Sequence, residues 1–176
     1  MLYKKKIFAL LFIFIFSSSI SLAENKIAYV DLDLILSKSK PSMLLFDQLE
    51  KLEKNKLEEL KVTENKLKDE ENKIISSKKI ISQKEYNKNV KEFKKKINNY
   101  KNTKNEIIKN LKKKRNDEVL RFLKLINPLI EEVMNDNSIE ILIEKKNIFI
   151  AKSNYDITQS IIDVINKNIS EFVVDE

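Results

Sequence analysis

Glycine, cysteine and histidine are absent from this sequence, and proline occurs only twice. Each absence removes a class of chemistry. Phosphate-cradling and dinucleotide-binding loops need backbone free of side chains, so neither can be built without glycine. Ordinary zinc sites and Ser-His or Cys-His nucleophile pairs need histidine or cysteine. No disulfide can hold the fold, whatever the compartment. Asp, Glu, Lys, Tyr and Ser remain for chemistry. Arginine is scarce as well, at Arg115 and Arg121 only. No apolar run reaches the ~20 residues that a membrane-spanning helix requires.

What is present is charge, 35% of all residues, carried mostly by lysine with asparagine beside it. A chain of 176 residues has room for one domain with a protruding arm. Codon drift toward Lys, Asn and Ile can raise such totals, so the position of the charge is more informative than its amount. Lys4, Lys5 and Lys6 precede the apolar run from Ile7 to Phe16, followed by Ser17 to Ser19 and Ser21-Leu22-Ala23. A positive start, a short apolar stretch and small residues before a break predict a secretory signal peptide cut after Ala23. Removing its three lysines lowers the formal charge from +7 to +4. Such a leader on a cysteine-free chain points to a bacterial periplasm.

The stretch from Tyr86 to Leu111 organises the rest. Apolar or aromatic residues fall at Tyr86, Val90, Phe93, Ile97, Tyr100, Ile107 and Leu111, and Lys104 occupies the one missing place. Steps of four and three make a heptad seam, the pattern of a helix lying along another helix. The rest of the stretch is largely Lys and Asn, so the stripe is too narrow for a globular core. Its partner is the preceding segment, Pro41 to Ser77, striped by Leu45, Leu49, Leu52, Leu57, Leu60, Leu67 and Ile74. Pro41 suits a helix start, with Lys40 held extended before it. About 36 helical residues span roughly 54 Å. Ser76 to Ser82 is the weakest helical text and is expected to be the hairpin tip. Ser82 with Glu85 reads as a capping box for the second helix. After Leu111 the stripe steps through Arg115 to Val119, a stutter. The stripe resumes through Phe122, Ile126, Leu129 or Ile130, and Val133, and beyond Val119 the apolar face broadens to include Leu120, Leu123 and Leu125, which predicts entry into a core. Pro128 predicts a kink near residues 124–128.

Short apolar runs flank the helix pair. Residues 27–30 read as a strand, and Asp31 to Ser39 as one or two helical turns. Residues 139–143 alternate and read as a strand. Residues 148–151 are apolar on both faces and read as a further strand, in a hairpin with the previous one. A final amphipathic helix carries Ile161, Ile162, Val164, Ile165 and Ile169. The expected fold is α+β, predominantly α. A long antiparallel helical hairpin (residues 41–119, tip near 76–82) projects from a small three-stranded β-plus-helix base (24–40 and 120–176). Ile27, Tyr29, Ile139, Ile141, Ile143, Ile148 and Ile150 are the candidate core of that base. Strands apolar on both faces want cover on both, so the base is expected to oligomerise.

The charge is segregated. Residues 44–71 hold 6 basic and 9 acidic groups, residues 72–115 hold 16 and 3, and residues 116–176 hold 6 and 12. The distal arm is therefore strongly positive and the base acidic. A positive arm end suits an anionic membrane surface or acidic polypeptides. Nucleic acid is not an expected partner of an exported chain that lacks an aromatic-basic stacking platform. The candidate contacts for clients or anionic surfaces are Lys78, Lys79, Ile80, Ile81, Lys84, Lys88, Lys91, Lys94 and Lys95.

Lys26-Ile27-Ala28-Tyr29-Val30-Asp31 follows the signal, and the charged helix pair comes next. Asn127-Pro128-Leu129-Ile130, residues 139–143, residues 148–151 and Tyr155-Asp156-Ile157-Thr158 then occur in that order. This arrangement resembles the Skp/OmpH family of periplasmic chaperones for outer-membrane proteins, across the whole mature chain. The resemblance implies a jellyfish-shaped homotrimer whose arms surround a cavity. Unfolded outer-membrane β-barrel proteins would be held there without ATP, and the basic arm ends suit lipopolysaccharide or other anionic surfaces. With almost no arginine at the tip, an arginine-based lipopolysaccharide motif is not carried over. Neither cofactor nor catalysis is expected: Asp31 with Asp33 reads as strand-end and helix-cap chemistry, and Asp69, Glu70 and Glu71 as a solvated face. The rival reading is a structural or adaptor hairpin that docks tip-first onto another envelope protein, favoured by Ile80 and Ile81.

Overall fold

The computed structural model describes residues 26–175; the expected signal peptide lies outside them. Strand β1 (Lys26–Val30) leads into the short helix α1 (Leu32–Lys38). Two long helices follow, α2 (Lys40–Ser77) and α3 (Gln83–Asp136). Strand β2 (Ile139–Glu144) and helix α4 (Thr158–Asn168) follow, with short 3-10 turns at Lys145–Asn147 and Ser153–Tyr155 between them.

Strands β1 and β2 are parallel neighbours, with Ile27 opposite Ile141, Ala28 opposite Leu142 and Tyr29 opposite Ile143. Adjacent parallel strands need a long crossover. Here the crossover is the helix pair itself, so the arm grows from a single sheet connection. Alternation along the strands separates two faces. Ala28 and Val30 are buried, and Val30 and Leu142 belong to the core. Ile27, Tyr29, Ile141 and Ile143 fall on the opposite face.

The core lies where α1, the roots of α2 and α3, and α4 meet the sheet. Ile35, Leu45, Phe122, Ile126, Ile161 and Ile165 are fully enclosed there. The stripe residues Phe122, Ile126 and Val133 enter this core and Leu123 packs against it, whereas Leu120 and Leu125, expected to widen the buried face, stay about half exposed. Phe122 meets Phe172 edge to face, with centroids 5.5 Å apart.

Caps explain the element boundaries. Asp31 Oδ1 accepts the Leu34 N–H (3.0 Å) and starts α1. Helix α2 begins at Lys40, one residue earlier than Pro41 suggests. The Lys40 N–H donates to Asn166 Oδ1 (2.7 Å), a tertiary cap that no local motif encodes. Ser82 Oγ accepts the Glu85 N–H (3.3 Å), one half of the expected capping box. Pro128 sits within α3, which runs on to Asp136. Both the main-chain and side-chain N–H of Asn137 donate to Val133 O, and Ser138 then takes φ 54°. That left-handed turn is a position that favours glycine; this chain places a serine there.

One expectation is corrected. Residues 148–151 form no strand and no hairpin with β2, so among the described residues the sheet has two strands, not three. The physical reason is the path of the chain: a 3-10 turn at Lys145–Asn147, closed by the Ile148 N–H donating to Lys145 O (3.0 Å), carries Ile148, Ile150 and Ala151 beside the outward sheet face and not along the free edge of β2. Strand β2 gives one edge to β1 and leaves the other unpaired among the described residues. At Tyr29, β1's other edge meets Asp156 as an isolated bridge, and the Ile157 N–H donates to Tyr29 O (3.1 Å). Residues 148–151 form no ladder with either strand, and Phe149 and Ile150 stand almost wholly exposed.

Candidate functional site

Two surfaces stand out, one on the arm and one on the base. On the arm, α2 and α3 lie antiparallel in one constant register. Lys78 approaches the Tyr86 ring, Glu70 pairs with Lys96 (2.6 Å), and Tyr100 Oη donates to Glu64 Oε2 (2.8 Å). Burial and the Glu64 carboxylate raise the Tyr100 pKa. Tyr86, Val90, Phe93, Ile97, Tyr100, Ile107 and Leu111 are all half-buried in this seam, while Lys104 is exposed. Two helices can cover only one side of each other, so the stripe shields itself only in part.

The candidate lysines stand around this seam. Lys84, Lys88, Lys91 and Lys95 recur at steps of four, three and four, two residues ahead of the seam positions Tyr86, Val90, Phe93 and Ile97. At ~100° per residue that puts them on the far side of α3. All four are exposed. Lys94 instead borders the groove between the helices, beside Phe93 and Ile97. Residues 78–82 form the connection between the helices, closed by the Ile80 and Ile81 N–H groups donating to Ser77 O. Lys79 is exposed there, Ile80 is 82% exposed and Ile81 is half-buried.

On the base, the outward face of the sheet is apolar. Ile27 and Ile141 are each about half exposed, although they sit opposite one another. Tyr29 and Ile139 are buried, and Ile143 is half-buried. Ile27, Tyr29, Ile139 and Ile143 line one open groove together with Ile148 and Ile150 of the extended segment. Six of the seven candidate base residues thus meet in one place, and Ile141 lies on the same sheet face.

Asp31 and Glu70 have structural roles. Asp31 caps α1 and accepts from Lys145 Nζ (2.8 Å). The Lys145 bond, then the Leu34 N–H, hold its pKa below the usual carboxylate range. Its own N–H donates to Thr158 Oγ1 (2.9 Å), which in turn donates to Asp156 Oδ1 (2.5 Å). This knot ties β1 to the start of α4. Asp33 is exposed, and Glu70 belongs to the arm register. Among the described residues no cluster of His, Cys, Asp or Glu could hold a metal ion, and no helix is long and apolar enough to cross a membrane.

Sequence reasoning misses one constellation altogether. Glu118 is 3% exposed, yet it sits in charged helical text. It accepts from Arg121 (2.6 Å) and Lys114 (3.0 Å). Burial raises its pKa, but the Arg121 and Lys114 bonds outweigh that and leave it lowered. The i−4 and i+3 spacing of those two cations was the available signal.

The comparisons with known proteins agree with this geometry. A family model described as "Outer membrane protein (OmpH-like)" matches residues 26–165. No curated protein matches in sequence. Among solved structures, a candidate outer membrane chaperone (OmpH-like) from Caulobacter crescentus CB15 superposes with a TM-score of 0.79. The match is at 15% identity and covers 85% of this chain and 89% of that one.

Proposed function

Because the chain belongs to the OmpH-like family of outer membrane proteins, we propose that it is an ATP-independent periplasmic holdase for unfolded outer-membrane proteins. The observation that carries this reading is the arm. It is a long two-helix projection whose distal half is strongly basic and whose apolar seam is only half-covered. Such a surface offers many weak contacts and no single pocket. Lysines on the far side of α3 attract acidic segments over a distance set by ionic strength, and the exposed flanks of the seam shield apolar ones. The Caulobacter protein of like fold is a candidate outer membrane chaperone, which points the same way.

Holding a whole polypeptide needs more than one arm. The apolar outward face of the sheet and the unpaired segment 148–151 support a homotrimeric base in which second and third copies cover both. An Ile141→Asp variant tests this. Ile141 is half exposed in the single chain, so folding should survive while the assembly falls to monomer in sedimentation. An unchanged oligomer, or a wild-type monomer at micromolar concentration, removes the shared base.

The holdase reading is tested by diluting a denatured outer-membrane barrel into buffer with the mature protein at one trimer per client. Aggregation should be suppressed, and the suppression should weaken as salt rises. No suppression at that ratio overturns the reading. The same basic arm end suits an anionic membrane or lipopolysaccharide surface, which vesicle flotation would report.

A second reading keeps one observation of its own. Ile80 is 82% exposed at the end of the arm, directly after Lys78 and Lys79. That suits an adaptor hairpin docking tip-first onto another envelope protein. Replacing Ile80 and Ile81 by Ser abolishes function under the adaptor reading and changes little under the holdase reading.

A further inference from the structure

Residues 169–175, beyond the last helix, belong to no helix or strand, yet they are held closely. Phe172 is buried against Phe122, and the Arg121 guanidinium lies 4.2 Å above the Phe172 ring. The Gln48 side chain on α2 grips the segment's main chain twice. Its Nε2 donates to Phe172 O (2.6 Å), and its Oε1 accepts the Val174 N–H (3.0 Å). From α3, Arg121 donates to Val173 O, and buried Glu118 accepts the Asp175 N–H (3.3 Å). The segment thus bonds α2 and α3 at once, at the level where the arm leaves the core.

We infer that residues 169–175 are a latch that fixes the angle of the arm to the base by clamping both arm helices at their root. The inference stands apart from any client. Its physical content is leverage. From Gln48 to Ser77 the arm extends about 44 Å, so a rotation of ~5° at the root moves the tip by ~4 Å. Above Glu118 the two helices are joined only by the half-covered seam and a few surface pairs. The clamp is therefore the last place where the base can set their direction. Its grip is of a releasable kind. It consists of side-chain bonds to main chain, the contacts of the Phe172 ring with Phe122 and Arg121, and an Arg121–Asp175 ion pair (3.4 Å), with no ladder of its own, while the helices it joins are complete without it.

The absence of native cysteine makes the test direct. Gln159→Cys on α4 and Lys68→Cys on the arm, both at exposed positions, are spin-labelled. Labelled chains are diluted into unlabelled ones and the distance distribution is measured. The full chain should give a narrow distribution. A chain ending at Ile169, and a full-length Gln48→Glu variant whose carboxylate would repel Phe172 O, should each broaden it by about twofold, with helical content retained. A width unchanged in both overturns the latch. Should the shortened chain lose helical content, the Gln48→Glu variant decides alone: a broader distribution supports the latch, and the original width overturns it.

Discussion

Phe122 and Phe93 lie on the apolar stripe of the same helix, yet Phe122 is fully enclosed and Phe93 stays half-exposed. At Phe122 the helix is covered from several sides by α4, Phe172 and the root of α2. At Phe93 it meets one other helix and water. The base is thus held by enclosed apolar side chains, whereas the arm is held by a single seam, helix propensity and surface pairs such as Glu70–Lys96. Regions with few buried contacts open at lower free energy than the global fold. The difference concentrates the buried apolar surface in the base and leaves most of the arm's surface open to solvent, as the proposed holdase reading requires.

Replacing each phenylalanine breaks that comparison most forcefully. Phe122→Ala removes a fully buried ring and should cost about 3–5 kcal/mol, seen as a large drop in the melting temperature of the whole chain. Phe93→Ala should cost about 1–2 kcal/mol, and that loss should appear mainly as faster hydrogen exchange along residues 84–100. Equal losses at the two sites would mean that the arm is as tightly held as the base.

Glu118 sits at the border between the regions and gives the next effect in size. Its folded-state pKa is lowered by Arg121 and Lys114 against the opposing effect of burial. A carboxylate with a depressed pKa contributes stability that is complete above its unfolded value, about 4.3, and is lost as pH falls through the lower folded value. Glu118→Gln should therefore cost about 1.5–3 kcal/mol at neutral pH. The cost should shrink in acid, below about pH 4, as the wild-type carboxylate itself becomes protonated. Urea melts at pH 7 and pH 3 check this. A cost that is the same at both pH values would assign the role of Glu118 to packing and not to charge.

How far each region can be read from the sequence follows the same division. The arm is legible because its determinants are local. Steps of four and three from Tyr86 onward define α3, and Ser82 three residues before Glu85 starts it. The base is legible only where one strand or helix declares itself, as in residues 27–30, 139–143 and Ile161 to Ile165. The parallel pairing of β1 with β2 joins residues more than a hundred positions apart, and nothing local to either strand encodes it. Residues 148–151 mislead for a related reason. An apolar run reports a wish for cover, and the turn at Lys145–Asn147 carries this one beside the sheet face and not along the free edge of β2. The latch is hidden because Gln48, Glu118 and Arg121 look like solvated helix positions until Phe172 folds back onto them. Asn166 capping α2 is the same case in miniature.

The smallest effect sharpens the comparison from the arm's side. Lys104 fills the one seam position of α3 that lacks an apolar residue, and it is exposed with its ammonium 5.9 Å from the Tyr100 ring. In the register set by Glu70–Lys96 and Glu64–Tyr100 it stands level with Leu60, which is only 6% exposed. Leucine and lysine have nearly equal helix propensity, so Lys104→Leu changes the seam and little else in the helix. Partial burial of the new side chain should stabilise the arm by about 1 kcal/mol. Because the base is already the more stable region, the gain should appear as slower hydrogen exchange around residues 97–111 with little change in global melting. An increase in melting temperature without slower arm exchange would tie the arm to the base as one cooperative unit. No change in either would mean that the break at Lys104 costs the seam nothing, and that the arm is held by its helices' own propensity and surface pairs.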